Sequence, residues 1–114
     1  MTRRLTNDPA EMVAIGLERL GVLATDGNDL TRPRLTTHSF SGHADAIDQV
    51  AVALRHAGFA TEIDDDDARD VSAQAMTVTD EPWLREAMVI LCRVADRFGV
   101  TYEGWEALAD QSHT

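Results

Sequence analysis

The sequence predicts an α+β fold: a two-layer sandwich with a four-stranded antiparallel sheet, two helices on one of its faces and an extra N-terminal helix. Two amphipathic runs end in glycine and pass into short extended segments. The first is Ala57-Gly58-Phe59 followed by Thr61-Glu62-Ile63. The second is Phe98-Gly99-Val100 followed by Thr101-Tyr102-Glu103-Gly104-Trp105. Glycine takes the left-handed conformation that ends a helix, so each run reads as a helix stopped and handed on to a strand. A strand-like segment also precedes each run, which doubles the unit.

The elements follow in order. Asp8-Pro9-Ala10-Glu11 opens the first helix. Asp8 can accept from an orphan N–H, Pro9 suits the first helical position and Glu11 stands where a capping box needs it. Val13, Leu17, Leu20 and Ala24 share a face that Met12 and Ile15 widen, giving a helix over about 9–23. Arg32-Pro33 favours extended backbone, and Leu35 to Phe40 is a Thr-rich strand. Leu35 points to one of its faces and Phe40 to the other, so either face could be the buried one. Ser41-Gly42 opens the second helix, where Ile47, Val50, Ala51, Leu54 and Ala57 form a core-facing stripe.

Phe59, Thr61 and Ile63 alternate as a half-buried strand does. Residues 64–70 form a charged connection, and Val71 to Val78 is the next strand. Thr79-Asp80-Glu81-Pro82 starts the third helix with acids at the positive end of its dipole. Leu84, Ala87, Met88, Leu91, Ala95 and Phe98 line its inner face. The last strand is Thr101–Trp105, with Glu106–Thr114 as a frayed tail. Right-handed β-α-β units in this order make the ferredoxin-like arrangement. Residues 1–27 then hold the added helix, 28–108 the α+β domain and 109–114 a short tail.

A chain of 114 residues makes one domain and buries roughly 65% of its unfolded surface, enough for a core without staples. Its single cysteine, Cys92, leaves no intramolecular disulfide and reads as a buried structural thiol on the third helix. The two arginines near the N-terminus lack an apolar stretch behind them, and no segment approaches the length of a membrane span. A cytoplasmic protein away from membranes is expected.

The net charge of −10 opposes binding to nucleic-acid phosphates and favours a basic protein partner. Six acids, Glu62, Asp64, Asp65, Asp66, Asp67 and Asp70, stand against Arg69, so residues 62–70 carry −5. This run is not a calcium loop. Counted from Asp64, the sixth position is Arg69 where glycine is required, and the twelfth is Ala75 where glutamate is. It reads as a solvated loop, with Asp64, Asp65, Asp66, Asp67 and Asp70 as the candidate docking patch for a basic segment.

Catalytic chemistry has no evident apparatus. Among His38, His43, His56 and His113 there is no helical ligand pair, and only His38 falls in a strand where a structured pocket could form. Cys92 has neither a helix N-terminus nor a partnered base beside it in sequence. The glycines form no phosphate-binding loop. Strand aromatics Phe40, Tyr102 and Trp105 lack the basic stripe of an RNA-stacking sheet. No cofactor or metal is expected, and the chain reads as non-enzymatic.

Phe98-Gly99-Val100-Thr101-Tyr102-Glu103-Gly104-Trp105-Glu106 resembles the C-terminal signature of the family named regulator of ribonuclease E activity B. There a helix ending in an aromatic leads to a strand of the form Tyr, Asp or Glu, Gly, Trp. Thr37-His38-Ser39-Phe40-Ser41 is similar to that family's first strand and helix cap, and Ala57-Gly58-Phe59 to its glycine-aromatic turn. Residues 28–34 are similar to its linker, so the likeness covers about 28–108. It implies a small acidic regulator that binds and restrains an RNA-degrading endoribonuclease without catalysis, as a monomer or weak homodimer. Founding-type members continue past Gly-Trp into a long acidic tail, where this sequence has nine residues after Trp105.

In that signature Tyr102, Glu103, Gly104 and Trp105 carry a mainly structural expectation: Trp105 covers the sandwich edge and Gly104 lets a neighbour pack closely. Direct contact of Trp105 with a partner is the competing role. A different class of function, sensing a small molecule on the open sheet face, is the alternative to partner binding.

Overall fold

A computed structural model of the chain describes residues 7–64 and 69–109. Seven elements run in the order α1 (Pro9–Thr25), β1 (Pro33–Ser41), α2 (Ala44–His56), β2 (Ala60–Ile63), β3 (Asp70–Val78), α3 (Glu81–Phe98) and β4 (Thr101–Ala107). All strand pairs are antiparallel and the sheet order is β2-β3-β1-β4. That is the ferredoxin-like order with one helix added, as the sequence predicts. β4 runs two residues past Trp105, and the Leu108 N–H then donates to the Leu35 carbonyl at 3.0 Å. Glu106 and Ala107 therefore belong to the sheet and not to the tail.

Helix limits follow their caps. The Asp8 carboxylate accepts from the Ala10 N–H at 3.0 Å with Pro9 behind it, and Asp80 accepts from the Trp83 N–H at 2.9 Å. The N-cap of α2 is His43, two residues later than Ser41, and it makes no side-chain cap bond. α3 ends on Gly99 in the left-handed region at φ +69°, where its N–H returns to the Asp96 carbonyl.

One face of the sheet packs on α2 and α3. The fully buried centre holds Phe40, Ile47, Leu54, Leu84, Met88 and Leu91, and α2 contributes Ile47, Val50, Ala51 and Leu54 from its stripe. Ala57 lies past the last turn and is exposed. Cys92 is buried between these layers.

The face of β1 that turns inward is that of Arg34, Thr36, His38 and Phe40. Three of the four are polar, and each is held by a distant partner. The Thr36 hydroxyl donates to the Ala75 carbonyl at 3.0 Å. The Arg34 guanidinium donates to the Asp29 carbonyl at 2.7 Å and the Leu108 carbonyl at 3.0 Å. Arg34 thereby ties the connection after α1 to the end of β4, and its charge stays compatible with burial because carbonyl oxygens surround it.

α1 does not cover the opposite face of the sheet. It lies along α3 and beside the β4 edge. Its inward stripe is Met12, Val13, Gly16, Leu17, Leu20 and Leu23, while Ile15 is 45% exposed and Ala24 faces solvent. The rotation has a cause in Gly16: a Cβ there would stand 2.5 Å from Leu84 Cδ1, so the helices touch where α1 has no side chain. Just before α1, Asn7 clamps the edge strand. Its Nδ2 donates to the Val100 carbonyl at 2.8 Å, and its Oδ1 accepts the Tyr102 N–H at 2.7 Å. Arg19 donates to the Trp105 carbonyl. Side chains around α1 thus occupy backbone groups that β4, as an edge strand, would otherwise leave free.

Candidate functional site

The Tyr102-Glu103-Gly104-Trp105 element is a β-bulge. Trp105 is opposite His38 and Gly104 opposite Ser39, but Tyr102 is opposite Phe40, so Glu103 is the extra residue. In regular alternation, side chains three apart point to opposite faces. The bulge resets the phase, and both Tyr102 and Trp105 enter the core, at 4% and 5% exposure. Trp105 meets Trp83 edge to face at 5.1 Å, with the Arg19 guanidinium 5.5 Å from its ring centroid.

Gly104 makes this possible through its backbone. Its φ is +115°, a region side-chain-bearing residues rarely adopt, whereas the atom nearest to an added Cβ is Met12 Cε at 4.0 Å. Close packing is therefore not what requires glycine here. Gly104→Ala is expected to lower stability by about 2 kcal/mol through that strain alone, measured by urea unfolding. A loss within a few tenths of a kcal/mol would mean the bulge adapts without cost.

Tyr102 brings a second buried polar group into the core. Its hydroxyl is 2.8 Å from His38 Nδ1, and His38 also lies against the Phe59 and Trp83 rings at 5.8 and 6.1 Å. Burial pushes the His38 imidazole down to about 4 and the Tyr102 hydroxyl up. Burial, and then Asp96, pushes the Cys92 thiol up to about 11, so the sulfur is held protonated. These are buried groups packed within the core. Among the described residues, no three His, Cys, Asp or Glu side chains gather where they could share a metal ion.

Glu103 alone in the signature turns the other way, onto the open face. There β1 presents Leu35, Thr37, Ser39 and Ser41, and β3 presents Ser72, Gln74 and Met76. Met76 is 66% exposed, and among the described residues no helix lies over this face. Where β1 and β2 finish and β3 and β4 begin there is a shallow depression of about 780 Å³, lined by Ser39, Phe40, Ser41, Glu62, Ile63, Asp64, Asp70, Val71, Ser72 and Glu103. The Ser41 hydroxyl donates to Glu103 Oε1 at 2.5 Å and fixes that carboxylate on the rim.

Of the acids expected to form a docking patch, Asp64 and Asp70 stand together on this rim, joined by an Asp64 N–H to Asp70 carbonyl bond of 3.0 Å. Asp65, Asp66 and Asp67 lie outside the described residues, as does His113. Glu62 and Glu103 complete the rim from β2 and β4, and the hydroxyls of Ser39, Ser41 and Ser72 floor it. Alternation of serine and threonine along β1 was the available signal for that floor. The nearness of Glu103 to the acidic connection comes only from the sheet order.

A family model described as Regulator of ribonuclease activity B matches residues 18–107. The match spans all four strands, α2, α3 and the second half of α1, whereas Asn7, Met12 and Gly16 precede it. No curated protein matches the chain. The family's description is that of a protein acting on ribonuclease activity, which is a regulatory, protein-interaction role. No helix among the described residues is long and apolar enough to cross a membrane. With the signature bulge, the sheet order and most of its length inside that match, the chain belongs to the Regulator of ribonuclease activity B family.

Proposed function

We propose that this protein is a non-catalytic, cytoplasmic regulator that docks on a basic segment of an RNA-degrading endoribonuclease and restrains its cleavage of RNA. The observation that carries this reading is the convergence of Glu62, Asp64, Asp70 and Glu103, from three strands and a connection, on one uncovered rim. Added to the net charge of −10, this rim favours a lysine- and arginine-rich polypeptide and repels the RNA itself. The attraction is electrostatic and exposed, so it weakens with salt.

The test is an endoribonuclease cleavage assay on a structured RNA, with and without the purified protein. Slower cleavage is expected, with relief as salt rises from about 50 to 300 mM. A variant carrying Glu62→Lys, Asp70→Lys and Glu103→Lys is expected to keep its fold and to need at least about tenfold more protein for the same restraint. Unchanged cleavage at saturating protein, or full restraint by the charge-reversed variant, would refute the reading.

A further inference from the structure

The two edges of the sheet are finished differently. At β4, Asn7 and Arg19 occupy outward backbone groups. At β2, outward groups have no partner among the described residues. The Asp64 N–H donates to the Asp70 carbonyl, and the register pairs Glu62 with Ser72 and Ala60 with Gln74. In an antiparallel ladder these alternate residues exchange the hydrogen bonds, so the N–H and C=O of Thr61 and Ile63 point away from β3. Neither residue makes a backbone bond to any other described element. Their side chains are half-buried toward the helices, while Ala60 and Glu62 are exposed on the open face.

We infer that β2 is a docking edge, on which an extended basic segment of a partner protein adds as a fifth strand. Backbone bonds to Thr61 and Ile63 supply the attachment, as in strand addition at other sheet edges. Charge supplies the choice of occupant. Alternate residues of the added strand fall on the open-face side beside Glu62 and Asp64, with Asp70 one strand further in. Lysine or arginine at those positions meets carboxylates. A second copy of this chain, pairing antiparallel through Thr61 and Ile63, would instead set Glu62 opposite its own copy, and like charges directly opposite destabilise strand pairing. The same acids that protect a short free edge from self-association therefore admit a basic strand. This inference rests on the binding reading above and adds to it the place and the mode of attachment.

The probe is a capped ten-residue peptide of alternating lysine and valine, titrated into the ¹⁵N-labelled full chain and followed by amide shifts. Shifts are expected to concentrate on residues 60–63. A peptide N-methylated at alternate backbone nitrogens keeps its charge but loses its donors, and about tenfold weaker binding is expected. Thr61→Pro removes one outward donor without touching a bond to β3, so the edge strand should tolerate it and bind about tenfold more weakly. Equal binding of the methylated peptide, or shifts confined to the rim acids, would reduce the contact to charge alone and overturn the inference. So would a concentration-dependent dimer that perturbs residues 60–63 without peptide. If Thr61→Pro still restrains the endoribonuclease fully, the edge is wrong and the regulatory reading stands. If peptide docks at β2 while cleavage is unaffected by the protein, the edge stands and the regulatory reading fails.

Discussion

Trp105→Ala is expected to remove about 3–5 kcal/mol of stability, the range for deleting a large buried aromatic. A domain of this size has roughly 5–15 kcal/mol in total, so the variant should be strongly destabilised and at the low end of that range largely unfolded. The geometry puts the loss in two places. The indole fills the space between Trp83, α1 and β4, and its ring meets Trp83 at 5.1 Å and 86°, an edge-to-face contact of about 1 kcal/mol beyond area burial. The Arg19 bond is made to the Trp105 carbonyl and survives the substitution, whereas the packing of its guanidinium on the indole, 5.5 Å from the ring centroid, is lost with the ring. Urea unfolding at unchanged m-value measures the difference. A loss below about 1 kcal/mol accompanied by loss of endoribonuclease restraint would reassign Trp105 to partner contact. The side chain's burial argues against that outcome.

The element order was legible because each helix announces its own end and its own face. Gly99 at φ +69° stops α3, and the spacing of Ile47, Val50, Ala51 and Leu54 gives α2 a single buried stripe. β1 was not legible in the same way. Arg34, Thr36 and His38 are polar, and composition alone would send them to solvent. Their partners are the Leu108 carbonyl, the Ala75 carbonyl and the Tyr102 hydroxyl, groups 39 to 74 residues away that no local pattern reveals. The bulge hides similarly. Tyr102 and Trp105 are three residues apart and belong to opposite faces by alternation, so only the glycine between them hints at a change of phase. The buried face of α1 departs from the hydrophobic spacing at Ile15 because the closest helix contact runs through Gly16, which contributes no hydrophobicity to any periodic count. Charge, by contrast, pointed to the rim through Asp64 and Asp70. It could not supply Glu103, which reaches the rim through the order β2-β3-β1-β4 and the bulge together.

The buried His38 should make stability fall as the solution is acidified from neutral. Its folded imidazole titrates at about 4 because burial disfavours the charged ring, while in the unfolded chain it returns to the ordinary 6.5. Above pH 6.5 neither state holds the proton and His38 contributes no pH dependence. Between 6.5 and about 4 the unfolded chain binds a proton that the folded chain refuses, so folding loses about 1.4 kcal/mol per pH unit from this one group. The total is about 3 kcal/mol by the lower end of the window. Many carboxylates titrate over the same window, so the quantity to read is the difference in slope between the parent and His38→Leu. Leucine leaves the Tyr102 hydroxyl without its partner, but that cost is a constant offset across this range and does not alter the slope. The parent should fall more steeply than the variant below pH 6.5, and the His38 ring proton in the folded chain should begin to shift only near pH 4. The competing force is the aromatic enclosure. Phe59, Trp83 and Tyr102 rings lie within 6.1 Å, and ring faces can stabilise a cation by up to about 2 kcal/mol once water is excluded. Phe59 stands at 86° to the imidazole, while Trp83 and Tyr102 are only tilted. Desolvation should therefore prevail. Equal slopes in parent and variant would show instead that this enclosure holds an imidazolium as well as water does.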